Sequence, residues 1–175
     1  TFLGETGRFN GEDIVDIIAR QPATARFISR RLFQFFAADE VDEEGERVVE
    51  AMAESYFDSG YEIRSVLRTL FNSPYFRSEQ ARFARVKSPV ELVIGAVRMA
   101  GGFDAPTEEI GEIEANASFM GQKLLEPPDV AGWNEGKEWI NGGALMERVT
   151  FVAKELGKVS SPGVRDIIER LASQN

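Results

Sequence analysis

Residues 63–74 read Ile63-Arg64-Ser65-Val66-Leu67-Arg68-Thr69-Leu70-Phe71-Asn72-Ser73-Pro74. Ile63, Val66, Leu67, Leu70 and Phe71 fall at i, i+3, i+4, i+7 and i+8, which is one face of a helix and not the alternation of a strand. Asn72-Ser73-Pro74 stops it, since a proline pushes the residue before it out of the helical region. This is the clearest periodic set in the chain, and the pattern repeats on both sides of it.

Upstream, Ile14, Ile17 and Ile18 mark a first helix with Asn10 as its cap and Glu12 and Asp13 near the positive end of its dipole. Gln21-Pro22 ends it and opens a second helix, whose Phe27, Ile28, Leu32, Phe35 and Phe36 are expected on the buried side, with Arg26, Arg30 and Arg31 opposite. Val48, Val49, Met52, Tyr56 and Phe57 give a third helix after Asp42-Glu43-Glu44, closed by Gly60 in a left-handed conformation. Downstream, Ser88-Pro89 is a cap followed by a first-turn proline, and Val90, Val93, Ile94 and Val97 lead to Gly101-Gly102. A sixth helix is expected over Pro106 to Met120. A seventh follows through Leu145, Val149, Val152 and Leu156, and an eighth through Val164, Ile167, Ile168 and Leu171. No window alternates like a strand. The expected fold is all-α: a bundle-like array of seven or eight short helices in a single helical domain spanning residues 1–175.

Composition narrows the chemistry. The 175 residues include no Cys and no His. That excludes disulfides, thiolate nucleophiles, imidazole metal ligands and every Ser-His or Cys-His pair from this segment. No metal or cofactor is expected, and the segment by itself is not expected to be an enzyme. The net charge of −9 argues against nucleic acid, whose affinity comes from clustered Lys and Arg. Residues 37–62 hold ten acids and one base, 63–100 two acids and seven bases, and 101–135 eight acids and one base. Such blocks read as helix faces that pair with each other. Glu40, Asp42, Glu44 and Gly45 imitate the start of a calcium loop, but its first place is Glu and its twelfth is Ala51. No stretch approaches the roughly 20 apolar residues that cross a bilayer.

Residues 121–143, GQKLLEPPDVAGWNEGKEWINGG, resist helical reading and contain both tryptophans, two prolines and five glycines. Long loops in compact domains are often functional or held by their own packed side chains. Trp133 and Trp139 could stack on a sugar or peptide, with Asp129, Asn134 and Asn141 as hydrogen-bonding groups. Alternatively the rings plug the helical core. Asp129, Glu135 and Glu138 could also supply acids to a hydrolase of which this segment is an accessory part, completed by a missing N-terminal portion.

The segments SGYEIRSVLRTLFNSPYF (59–76), KSPVELV (87–93), GQKLLEPPDVAGWNEGKEWIN (121–141) and LMERVTFV (145–152) resemble the bacterial family catalogued as domain of unknown function 1800. The opening TFLGETGRFNGEDIVDIIARQPATARFISRRLF (1–33) resembles it too, and the likeness runs to about residue 156. It implies an exported protein, periplasmic or on the cell surface, of which this chain is the C-terminal part. It implies no reaction, cofactor or catalytic residue. Similar proteins are often encoded beside a second exported family with sulfatase-like features. The expected role is therefore a non-catalytic helical interaction or structural module. Its expected partner is the remainder of a longer chain or another exported protein, with a glycan as the alternative.

Overall fold

The computed structural model describes residues 1–101 and 110–173, and among these the secondary structure is helical, without a strand. The eight α-helices among the described residues divide between two compact units, Thr1–Arg85 and Val86–Asn175. The boundary falls inside the basic run 82–87.

In the first unit, α1 (Gly11–Ala19) begins at Asn10 in a reciprocal capping box: the Asp13 amide donates to Asn10 Oδ1 and the Asn10 amide to Asp13 Oδ2, both at 2.9 Å. Pro22 opens α2 (Pro22–Phe36). Asp42 caps α3 (Glu43–Asp58) through the Gly45 amide at 2.7 Å, which explains the calcium-like spacing as an ordinary helix start. Gly60 takes φ +68°, and the Tyr61 amide donates back to the Tyr56 carbonyl at 2.7 Å. Then come α4 (Ile63–Asn72) and a 3-10 turn at Tyr75–Arg77. Phe33, Val49, Met52, Val66 and Leu70 form the buried centre. Burying each such side chain stabilises the fold by roughly 1.5–3 kcal/mol before entropy is counted.

The face of α2 differs in part from the expected one: Ile28 and Leu32 pack against the core, half-buried. Phe27, Phe35 and Phe36 are exposed, and the buried line is Ala25, Ser29 and Phe33. Close approach to α3 is the reason: a Cβ on Gly45 would lie 2.8 Å from the Phe33 ring, so the contact line admits small residues and one ring seated against a glycine. The displaced aromatics are used at the surface. Arg31 sits 5.7 Å from the Phe27 ring centre and Arg85 5.2 Å from that of Phe35, while Phe36 packs edge-on against Phe71. Arg26 and Arg30 bind Glu50 and Glu46 of α3 at 2.8 and 2.6 Å. The acidic block thus draws most of these partners from α2, and the basic block contributes Arg85 to Asp39 at 3.7 Å. In α4 the middle of the stripe, Val66 and Leu70, is buried and its ends, Ile63 and Phe71, are open.

In the second unit, α5 (Pro89–Ala100) has the Ser88/Glu91 capping box and ends on Gly101 at φ +71°. Its buried face is Val93, Ala96, Val97 and Ala100, with Ile94 outside. Helix α6 covers Ile110–Phe119, and the expected residues 106–109 lie outside those described. Helices α7 (Gly142–Leu156) and α8 (Pro162–Ala172) complete the unit around Val93, Val97, Ala117, Met120 and Phe151. The start of α8 rests on the end of α5 so closely that a Cβ on Gly163 would meet the Met99 carbonyl oxygen at 2.1 Å. Val164 is buried there, whereas Ile168 and Leu171 are exposed.

Candidate functional site

The Trp-containing loop leaves α6 at Gly121, whose φ of +99° turns the chain. The Gln122 side chain accepts the Val90 amide at 2.9 Å, tying the loop to the first turn of α5. Lys123 and Glu126 pair at 2.8 Å. Leu125, 91% exposed, holds φ +64°, a conformation that costs a non-glycine residue about 1–3 kcal/mol.

The five residues expected to bind a ligand are placed differently from one another. Asp129 folds its own turn: its carboxylate accepts the Ala131 amide at 2.7 Å and its carbonyl the Gly132 amide at 3.2 Å. Asn141 caps α7, accepting the Ala144 amide at 2.9 Å. Trp139 ends a 3-10 turn (Gly136–Trp139) and is 5% exposed, so its ring offers no open face for stacking. Trp133 is half-buried, and its Nε1–H is shielded with no acceptor among the described residues. Asn134 is exposed. The loop does not present the two tryptophans as one open platform.

The helix that follows carries the larger departure from expectation. Sequence periodicity points to Leu145, Val149, Val152 and Leu156 as its core face. Instead α7 buries Ala144, Arg148, Phe151 and Glu155. Leu145, Met146 and Val149 are 47%, 65% and 59% exposed, while Val152 and Leu156 are half-buried. Positions 144, 148, 151 and 155 have the same spacing as 145, 149, 152 and 156, one residue out of phase. Seating Phe151 in the cluster of Val93 and Val97 fixes that phase. Arg148, 9% exposed, fits the core because its aliphatic stem is apolar. Its Nη2 donates to the Lys87 carbonyl at 2.7 Å, while Nη1 is buried with no acceptor among the described residues. Desolvation pushes its pKa below the usual arginine value. Glu155 is bound by Lys158 at 2.8 Å.

Beside this helix a cleft of about 240 Å3 is lined by Val97, Ile113 and Phe151 together with Glu112, Lys154 and the Glu155–Lys158 pair. Among the described residues no three acids cluster as metal ligands, and no helix is long and apolar enough to cross a membrane. The outward face of α7 was not legible as a site in sequence; its signal is a helix that buries Arg and Glu while turning Leu, Met and Val outward.

A family model described as "Protein of unknown function (DUF1800)" matches residues 1–175, and the chain belongs to that family. No curated protein and no solved structure matches it.

Proposed function

We propose that this DUF1800 member serves as a non-catalytic helical interaction module of an exported bacterial protein, and that the outward face of α7 receives a protein partner. One observation carries the reading: Leu145, Met146 and Val149 stand in water on a helix whose inward face spends two positions on charged residues. Contiguous exposed apolar surface of this kind marks interaction sites. At roughly 25 cal/mol per Å2, covering these half-exposed side chains would contribute on the order of 1 kcal/mol each. Export rests on the family resemblance alone.

Replacing Met146 and Val149 by Asp in the intact protein tests the face. The double variant should keep the wild-type melting curve and lose proteins that the wild type retains from its own cell envelope. A variant that unfolds would show the face to be core, and an unchanged retained set would remove the docking role. Fractionation that finds the native protein in the cytosol would overturn export.

Glycan binding is a second reading, favoured by Trp133 alone, the one tryptophan of the loop that keeps partial exposure. In a Trp139→Phe protein the remaining fluorescence reports on Trp133. Emission that a panel of envelope glycans leaves unmoved would end this reading.

A further inference from the structure

The cleft of about 240 Å3 in the second unit has a polar lining of two acids, two bases and one amide: Glu112, Glu155, Lys154, Lys158 and Asn116. One acid and one base are already matched. Glu155 is 8% exposed, and burying a carboxylate in an apolar interior is costly. Instead it stands on the cleft wall one helical turn past Phe151, and both its oxygens accept from Lys158 Nζ at 2.8 Å. The other charges are free. Glu112 on α6 and Lys154 on α7 are exposed and have no ion-pair partner among the described residues. Asn116, one turn past Glu112, donates its Nδ2 to the Glu112 carbonyl at 2.6 Å, which leaves its Oδ1 as an acceptor. The cleft therefore offers acceptors from α6 and a cation from α7, with the apolar side chains of Val97, Ile113 and Phe151 between the charged groups in its lining.

We infer that this cleft binds a small zwitterion, an α-amino acid with a short aliphatic side chain. Its ammonium donates to Glu112 and to Asn116 Oδ1, its carboxylate accepts from Lys154, and its side chain meets the apolar lining. An ion of one sign would face a like charge, Glu112 for an anion and Lys154 for a cation. A neutral polyol would forgo charge-assisted hydrogen bonds, which are roughly twice as strong as neutral ones. The volume also lies below the roughly 300–1,000 Å3 of sites that hold drug-sized ligands, and so suits an amino acid. The site shares no residue with Leu145, Met146 and Val149, so it stands or falls apart from the docking face.

L-leucine, isocaproate, which lacks the ammonium, and isoamylamine, which lacks the carboxylate, are titrated in parallel against the intact chain and followed by amide NMR shifts. L-leucine should saturate shifts at residues 112–116 and 151–158, and each analogue should bind about fivefold more weakly. In Lys154→Gln the affinity for L-leucine should fall to that for isoamylamine, and in Glu112→Gln it should fall toward that for isocaproate. Both side chains are exposed, so the variants should keep the wild-type melting curve; if one does not, the analogue series on the wild type decides alone. No saturable shift by L-leucine up to its solubility limit overturns the inference. So do equal affinities for the three compounds, L-leucine binding that both variants keep, or saturation of the same amides by D-glucose and not by L-leucine.

Discussion

Adding one methyl group at Gly163 should be among the most damaging small changes available to the second unit. The Cβ of Gly163→Ala would sit 2.1 Å from the Met99 carbonyl oxygen, 2.9 Å from the Ala100 carbonyl carbon and 3.0 Å from its oxygen. These are backbone atoms, so no side chain can swing away. An ordinary contact needs about 1 Å more, and forcing such a shift in a packed interior costs roughly 1–3 kcal/mol. Undocking α8 sets a ceiling, because it forfeits the burial of Val164 and part of Ile167, about 2–3 kcal/mol in all. Helix propensity returns up to about 1 kcal/mol, so the net loss should be on the order of 2 kcal/mol. Gly95→Ala is the control. It lies inside α5 with only the tip of Lys87 nearby, at 4.0 Å, and should gain roughly 0.5–1 kcal/mol. Urea unfolding of the two variants beside wild type reads the difference, and faster amide exchange across residues 162–172 locates it. A Gly163→Ala protein as stable as wild type would refute the close docking of α8 on α5.

Arg148→Met should lie within about 1.5 kcal/mol of wild type, since it keeps the apolar stem and removes a buried cation, whereas Arg148→Ala should lose about 2–4 kcal/mol through the cavity it leaves; chemical denaturation separates them. Asn141→Ala should cost about 1 kcal/mol and fray the first turn of α7, seen as faster exchange at Ala144. Burial, with the Tyr61 charge adding to it, raises the pKa of Tyr56, and burial likewise raises that of Tyr75, with Asp42 and Glu44 adding to it. The unfolded phenols ionise first, so this stability is fully present below about pH 10 and is lost as pH rises through the higher folded values. Tyr56→Phe should flatten the alkaline end of the stability profile, and an unchanged slope would count against the burial argument. Its loss of the bond to the Ala19 carbonyl, at 3.1 Å, should cost about 1 kcal/mol at neutral pH.

Helix ends were legible because their signals are local. Asn10, Asp42 and Ser88 each cap through an amide three residues on, and Gly60 and Gly101 adopt the left-handed turns that a following glycine suggests. Helix faces were harder, because phase depends on the neighbour. Aromatics at 27, 35 and 36 outweigh Ala25 and Ser29 on any hydrophobicity scale, yet the near approach of Gly45 selects the smaller line. On α7 two stripes of identical spacing competed, and only the seat of Phe151 separates them. In the loop, three of the five glycines, Gly121, Gly132 and Gly136, take positive φ, while Gly142 and Gly143 open α7, and the sequence did not separate the two groups. Which tryptophan goes inside is a tertiary matter that composition does not carry.

The order of packing along the chain also sets the order in which the protein can assemble. In the first unit the main contacts, α2 on α3 and α3 on α4, join neighbours in sequence. Such local topology closes short loops and folds quickly, so this core can form as soon as residue 85 has left the ribosome. In the second unit α5 packs mainly against α7, across the whole span of α6 and the Trp-containing loop. Closing that span waits on the last third of the chain. Until Phe151 arrives to cover Val93 and Val97, the nascent second unit keeps its apolar centre open to chaperones.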